Sequence, residues 1–308
     1  MAHYLDPKND LTFKRVFGEH KHLCMSLINS MLPLEKPIVS LEYKSGELVP
    51  ELADVLRNTS VDVRCIDEDG RQFIVEMQMY WSESFKNRVL LNASKAYIKQ
   101  LDKAQDFELL HPVYALSFVN DKFEKSPEMK DEYYHYYKIV NIKDTEKQIK
   151  GLEFLFVELP KFKPQGRAEK KLHELWLRFL TEVNESANEV PKELLENEYT
   201  REAVGYMEQS AYTKDQLDAY DKWKIDAMTE RSIINDALRK GKAEGKAEGK
   251  AEGKAEGKAE GKAEGITEKT EQVTINSHRA GIPIETIADI TNLTVEQVIE
   301  ILKWHNVL

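Results

Sequence analysis

The sequence predicts an α/β fold, a mixed sheet flanked by helices with a helical C-terminal extension. Three stretches carry that prediction. Ser60 to Met79, SVDVRCIDEDGRQFIVEMQM, holds two runs of alternating character around Glu68-Asp69-Gly70, a turn in which glycine can take a positive φ. Trp81 to Asn120 reads as an amphipathic helix followed by a continuous apolar strand, so that strand, helix and strand form a crossover unit. From Lys170 to about Lys240 the pattern becomes helical and polar.

In chain order, Asn9 or Asp10 caps an opening helix. Its apolar residues Leu11, Phe13, Val16 and Phe17 continue at roughly helical spacing through Leu23, Met25, Leu27 and Ile28 to a stop at Met31-Leu32-Pro33. Lys14 and Arg15 on this helix either face solvent or approach a phosphate backbone. Pro37 to Val55 is mixed and broken by Pro50. Glu47, Glu51 and Asp54 closely precede Asp62, but no periodicity places them on its face.

Register decides what the hairpin is for. A three-residue loop with Gly70 in the left-handed region pairs Asp67 with Arg71 and, counting outward, sets Asp62 opposite Glu76. The two carboxylates then share one face. Val61, Val63, Cys65, Phe73, Val75, Met77 and Met79 form the other, apolar face. A two-residue loop would shift the pairing by one and separate the carboxylates.

After the hairpin, the helix from Trp81 to Asp102 carries Phe85, Val89, Leu90, Ala93, Ala96, Tyr97 and Leu101 along or near one stripe. Arg88, Lys95, Lys99 and Gln100 share the remaining surface. Pro112 to Asn120 is the buried strand, and Leu152 to Leu159 adds another that ends at Pro160. Tyr133-Tyr134-His135-Tyr136-Tyr137 reads as a strand of alternating tyrosines, with stacking on unpaired bases as the other use of such residues.

Six perfect copies of Gly-Lys-Ala-Glu occupy residues 241 to 264. Each copy advances about 40° beyond a helical turn, so no fixed face persists, and like charges fall at i,i+4. With glycine costing up to about 1 kcal/mol per copy, the segment is a marginal helix or a mobile spacer. Beyond it, residues 281 to 302 read as two short helices around Thr291-Asn292-Leu293, with Thr294 and Gln297 placed for a capping box. This unit looks like a helix-turn-helix. Its second helix, VEQVIEIL, is acidic, so packing or self-association competes with base reading. The expected organisation is an α/β domain at 1–165, a helical extension at 166–240, the repeat spacer at 241–265 and the tail at 266–308.

Two carboxylates with Cβ atoms about 5 Å apart repel each other unless something neutralises them. Either both are solvated surface acids, or a divalent cation sits between them. Mg²⁺ takes carboxylate oxygens and keeps several waters, and such a site can activate water and stabilise a phosphoryl transition state.

Asp62 followed on the next strand by Glu76-Met77-Gln78 resembles the D…(D/E)-x-K signature of PD-(D/E)XK nucleases. The branch it resembles is the PD-(D/E)XK family transposases or Rpn-type recombination-promoting nucleases, in which Gln commonly stands where the Lys would be. Asp10-Leu-Thr-Phe13-Lys14-Arg-Val-Phe17 resembles the family's opening helix. Arg88, Tyr97 and Gln100 match its Arg…Tyr…Gln helix, followed by His111-Pro112-Val113 and Val157-Glu158-Leu159-Pro160-Lys161. The matching blocks run from about residue 4 to 165. The resemblance implies a PD-(D/E)XK restriction-endonuclease-like core and a Mg²⁺-dependent DNA endonuclease, Mn²⁺ being an alternative ion, linked to recombination or mobile elements. It implies Asp62 and Glu76 as metal ligands, with Gln78 and Asp10 completing the catalytic set. Lys14, Arg64, Arg88, Tyr97 and Gln100 are the expected supporting or DNA-contacting residues.

Composition bounds these expectations. The 44 basic and 54 acidic side chains give a net charge of −10, which excludes nucleic-acid binding by bulk charge and requires a local basic surface. Cys24 and Cys65 lie in apolar stretches and read as buried structural thiols. No signal peptide opens the sequence and no apolar run approaches the roughly 20 residues of a membrane helix, so a cytoplasmic setting is expected. The expected partners are DNA and a second copy through the C-terminal helices. The competing reading is a degenerate nuclease fold that binds DNA or protein without cleaving.

Overall fold

The computed structural model describes residues 3–48, 59–101, 107–164, 171–187 and 189–308. Contacts divide the chain into two compact units, Met1–Arg231 and Ser232–Leu308.

The first unit is built on a six-stranded mixed sheet. Its strands are β1 (Leu41–Tyr43), β4 (Val63–Asp67), β5 (Gln72–Gln78), β6 (Val113–Val119), β7 (Tyr134–Asn141) and β8 (Asp144–Glu158), in the spatial order β1-β4-β5-β6-β8-β7. β5, β6 and β8 run parallel; the pairs β1/β4, β4/β5 and β7/β8 are antiparallel. Short strands β2 (Glu47–Leu48) and β3 (Thr59–Ser60) pair separately. The crossover from β5 to β6 is α3 (Glu83–Ile98), which starts at Ser82, whose hydroxyl accepts from Phe85 N.

Both faces of the sheet are covered, as parallel strands require. On one side α1 (Asp10–Phe13), α2 (Lys21–Met31), α4 (Leu172–Glu182), α5 (Lys192–Glu196) and α6 (Glu198–Gly205) complete a core in which Phe13, Phe17, Trp176 and Phe179 join Cys65, Phe73, Val75 and Phe118. On the other, α3 buries Phe85, Val89, Ala93 and Ala96 against Ile74, Ala115 and Phe156. Trp176 meets Phe17 edge-on at 5.3 Å and donates to Ser26 Oγ. The helical residues that follow the last strand therefore belong to the first core.

Several local expectations are corrected. The opening helix is not continuous to Met31: α1 widens into a π-helical turn at Lys14–Gly18, and the chain is extended at His20 before α2 begins. The cap is Asn9, whose Oδ1 accepts from Leu11 N, which leaves Asp10 free for other partners. Val61 joins the α3 side with Ile74 and Phe85, because its backbone N donates to Gly46 O and the regular pairing of β4 starts only at Val63. Leu90, half exposed, leaves the buried stripe of α3, and the fully buried Asn92 lies on it. The two cysteines are buried and free, as expected.

In the second unit the Gly-Lys-Ala-Glu copies lie within α7 (Lys214–Arg279), and every side chain from 241 to 264 is exposed. After α7, Gly281 takes φ +79°, and α8 (Ile284–Thr291) and α9 (Val295–Trp304) follow. Asn292 closes α8 at φ +55°, and Thr294 with Gln297 forms the expected capping box. Ile275, Ile287, Ala288, Val298 and Leu302 make a small core of their own.

Candidate active site

The turn fixes the register. Gly70 stands at φ +81°, its N–H donates to Asp67 O at 3.1 Å, and Asp67 N donates to Arg71 O at 3.1 Å. Cys65 then pairs with Phe73 and Val63 with Val75, so the next step outward brings Asp62 opposite Glu76. Met77 N donates to Asp62 Oδ2 at 2.8 Å and anchors the aspartate to the neighbouring strand.

Glu76 is 5% exposed and lies beside Ser117 of β6 in the parallel register. Asn92 of α3 donates Nδ2 to Glu76 Oε1 at 3.2 Å. Asn92 Oδ1 and Ser117 Oγ, both buried, have no protein partner. Burial, with the negative charge of Asp62 added, pushes the Glu76 carboxyl up to about 7. Burial also pushes Asp62 up to about 6, with Asp10 adding to the effect while the Met77 N–H opposes it. Two carboxyls held so far above their ordinary range lack sufficient compensating charge.

One cation reaches Asp62 from the opening helix. Lys14 Nζ is 2.7 Å from Asp10 Oδ1 and 3.9 Å from Asp62 Oδ1. At the end of β5, Gln78 is held at both ends: Arg88 Nη2 donates to its Oε1 at 3.0 Å, and its Nε2 donates to Tyr80 O at 2.9 Å.

Asp62, Glu76, Gln78, Asp10, Lys14 and Arg88 are thus brought together, while other expected residues are not. Arg64 donates to Gln72 Oε1, one strand over and toward the hairpin turn. Gln100 exchanges two hydrogen bonds with the backbone of His111, and the Tyr97 ring lies against Gly151. These contacts are at the sheet end where Gln72, Val113 and Leu152 align, opposite to Gln78. The cause is the direction of α3, which runs back along the sheet at about 1.5 Å per residue, so Gln100 lies roughly 18 Å beyond Arg88. Glu47 is exposed on β2; Glu51 and Asp54 fall outside the described residues. Asn92 and Ser117 were not anticipated, although each is a polar residue interrupting an apolar pattern.

Among the described residues no three His, Cys, Asp or Glu side chains are grouped to hold a metal ion. The donor set that is present is two carboxylates with unshared oxygens. That set suits Mg²⁺, which is commonly held by one or two carboxylates with waters and a phosphate filling the rest.

A mixed sheet with a partly buried and a buried carboxylate opposed across a hairpin defines a nuclease-like fold of the PD-(D/E)XK type. The chain belongs to the PD-(D/E)XK nuclease family transposases, whose family model matches residues 7–237. The match extends past residue 165 to take in the helices that share the first core. Comparisons with curated proteins and with solved structures give no significant match. No helix among the described residues is long and apolar enough to cross a membrane.

Proposed function

We propose that this protein is a Mg²⁺-dependent DNA endonuclease that hydrolyses phosphodiester bonds in recombination or in the movement of mobile elements, with Mn²⁺ as an alternative ion. The observation that carries this reading is the opposition of two charge-poor carboxylates, the partly buried Asp62 and the buried Glu76, at one end of the sheet. These two residues would hold the ion, which supplies a polarised water and stabilises negative charge on the phosphate. Asn92 orients Glu76, and the Met77 N–H orients Asp62. Arg88, hydrogen-bonded to Gln78, provides a basic group at the rim for a DNA phosphate. The division of labour among a nuclease-like domain, helical extension, spacer and tail, a cytoplasmic setting, and self-association through the C-terminal helices belong to the same proposal.

A second reading, a non-cleaving DNA- or protein-binding module, is favoured by the uncharged Gln78, whose amide is held by Arg88 and the Tyr80 carbonyl, and by the net charge of −10. Supercoiled-plasmid nicking over a range of Mg²⁺ concentrations separates the two. The nuclease reading expects metal-dependent nicking that disappears in Asp62→Ala and Glu76→Ala. Absence of nicking by the parent protein with both Mg²⁺ and Mn²⁺ would favour the binding module.

A further inference from the structure

We infer that Lys14, from the opening helix, is the catalytic cation of this site and does the work that Gln78, lacking a charge, does not. The inference rests on the nuclease reading and assigns it a further residue.

Three observations carry it. First, Gln78 carries no charge to set against a phosphate, and its amide is tied to Arg88 through Oε1 and to the Tyr80 carbonyl through Nε2. Second, Lys14 Nζ is bound to Asp10 at 2.7 Å and reaches within 3.9 Å of Asp62, which directs a charged group at the aspartate of the pair from the opening helix. Its side chain is 45% exposed, leaving donors for a substrate oxygen. Third, Lys14 starts a π-helical turn, Lys14–Gly18, packed so that a Cβ on Gly18 would lie 3.7 Å from both Lys14 Cβ and Val63 Cγ2. A π turn is less favourable than an α turn and is frequent at functional sites. Here it seats the helix against the strand that follows Asp62.

In phosphodiester hydrolysis the bond from phosphorus to the water oxygen forms as the bond to one sugar oxygen breaks. One water proton reaches the leaving oxygen, and the other stays on the new P–OH until that group ionises. Negative charge grows on the non-bridging phosphate oxygens between these states. A lysine ammonium held beside the carboxylates stabilises that charge, and Asp10 keeps it in place. The arrangement also explains how a Gln at position 78 is compatible with a working site.

The test compares the parent protein with Lys14→Gln, Lys14→Arg and the double variant Lys14→Gln/Gln78→Lys in plasmid nicking. Mn²⁺ binding is measured alongside by titration calorimetry. Lys14→Gln is expected to lower the nicking rate at saturating metal about 10²- to 10³-fold, with Mn²⁺ affinity unchanged or tighter. Lys14→Arg or the double variant should restore part of the rate. If Lys14 were only a counter-charge to Asp62, its removal would tighten Mn²⁺ and leave the rate intact, which overturns the inference. A loss that neither the arginine nor the relocated lysine restores overturns it as well. A parent protein that never nicks removes the nuclease reading and this inference with it, whereas equal nicking by parent and Lys14→Gln removes the inference alone.

Discussion

Asn92 donates to Glu76 from a position with no solvent exposure, and its own Oδ1 is left without a protein partner. Helix and strand are thereby joined by a polar contact, as they are again where Gln72 Nε2 donates to Ala96 O at 3.3 Å. Removal of the amide leaves Glu76 without this neutral donor and free to rotate. Asn92→Ala should weaken Mn²⁺ binding by about 10- to 100-fold, the usual cost of losing a group that orients a ligand. Calorimetric titration checks this, and an unaltered affinity would show that strand geometry alone orients Glu76.

The carboxylate pair also sets a pH dependence in the metal-free protein. Asp62 is raised from its ordinary 3.8 to about 6, and Glu76 from 4.5 to about 7. Between those limits the folded state binds more protons than the unfolded one, so stability falls as pH rises. The contribution is fully present below about pH 4 and is lost as pH passes through about 6 and 7. A difference of one pKa unit between the folded and unfolded states corresponds to about 1.4 kcal/mol, so several kcal/mol are at stake before metal binds. Urea unfolding in EDTA across mildly acidic to mildly alkaline pH should show this decline, and Asp62→Asn/Glu76→Gln should flatten it. A parent profile that rises with pH would contradict the electrostatic reading.

A second buried ionic cluster lies outside the site, in the Val157-Glu158-Leu159-Pro160-Lys161 block. Glu158 Oε1 meets His135 Nε2 at 2.8 Å and Lys161 Nζ at 2.7 Å, while Oε2 accepts from Phe123 N at 2.8 Å. Lys161 also donates to the carbonyls of Glu124 and Met129, tying the loop after β6 to the end of β8. Glu158→Ala leaves a buried ammonium without its counter-charge, which costs about 3–5 kcal/mol. Chemical denaturation of the variant measures it; a loss below about 1 kcal/mol would mean that water enters and resolvates Lys161.

Gly70 is the hinge of the register. A Cβ there would sit 2.7 Å from the His111 ring, on a backbone at φ +81° that L-residues seldom adopt. Gly70→Ala should therefore cost about 1–2 kcal/mol from backbone conformation alone. His111→Ala, made in the same background, should relieve only the steric part. Thermal melts of the four proteins give the cycle, and full recovery in the double variant would place the whole effect in the ring contact.

The repeat makes the opposite prediction. At Gly245, Gly249 and Gly253 an added methyl group would project into open space, and their neighbours are exposed. Replacing all three by Ala should strengthen the local helix by about 1 kcal/mol per site, slowing amide exchange from 241 to 264. Melting of the Met1–Arg231 unit should not move. A shift in that transition would reveal coupling that the exposure of the repeat does not suggest.

The parts of this protein that are readable from sequence are those fixed by short-range chemistry. Glu68-Asp69-Gly70 specifies a turn, the turn specifies the pairing, and the pairing places Asp62 against Glu76 through a period of two. Thr294 and Gln297 specify a capping box within four residues, and both find the partners their spacing predicts. The ordered blocks around these residues suffice for the family. Where two polar candidates are adjacent, as at Asn9 and Asp10, local pattern gives the cap within one residue and the structure chooses Asn9.

What remained was decided by how separate elements dock. The rotation of α3 about its axis buried Asn92 and exposed Leu90, although both lie near the same stripe. Its direction along the sheet carried Tyr97 and Gln100 away from Gln78. The approach of the opening helix to β4 brought Lys14 to Asp62, far along the chain, and packed Trp176 against Phe17. None of these relationships is written in a local period, because each depends on burying two apolar faces together, and many residue pairings satisfy that requirement until the whole core is assembled. The sequence by itself determined the hairpin, its facing acids and the family; the tertiary structure alone decided which amide, hydroxyl and ammonium would surround them.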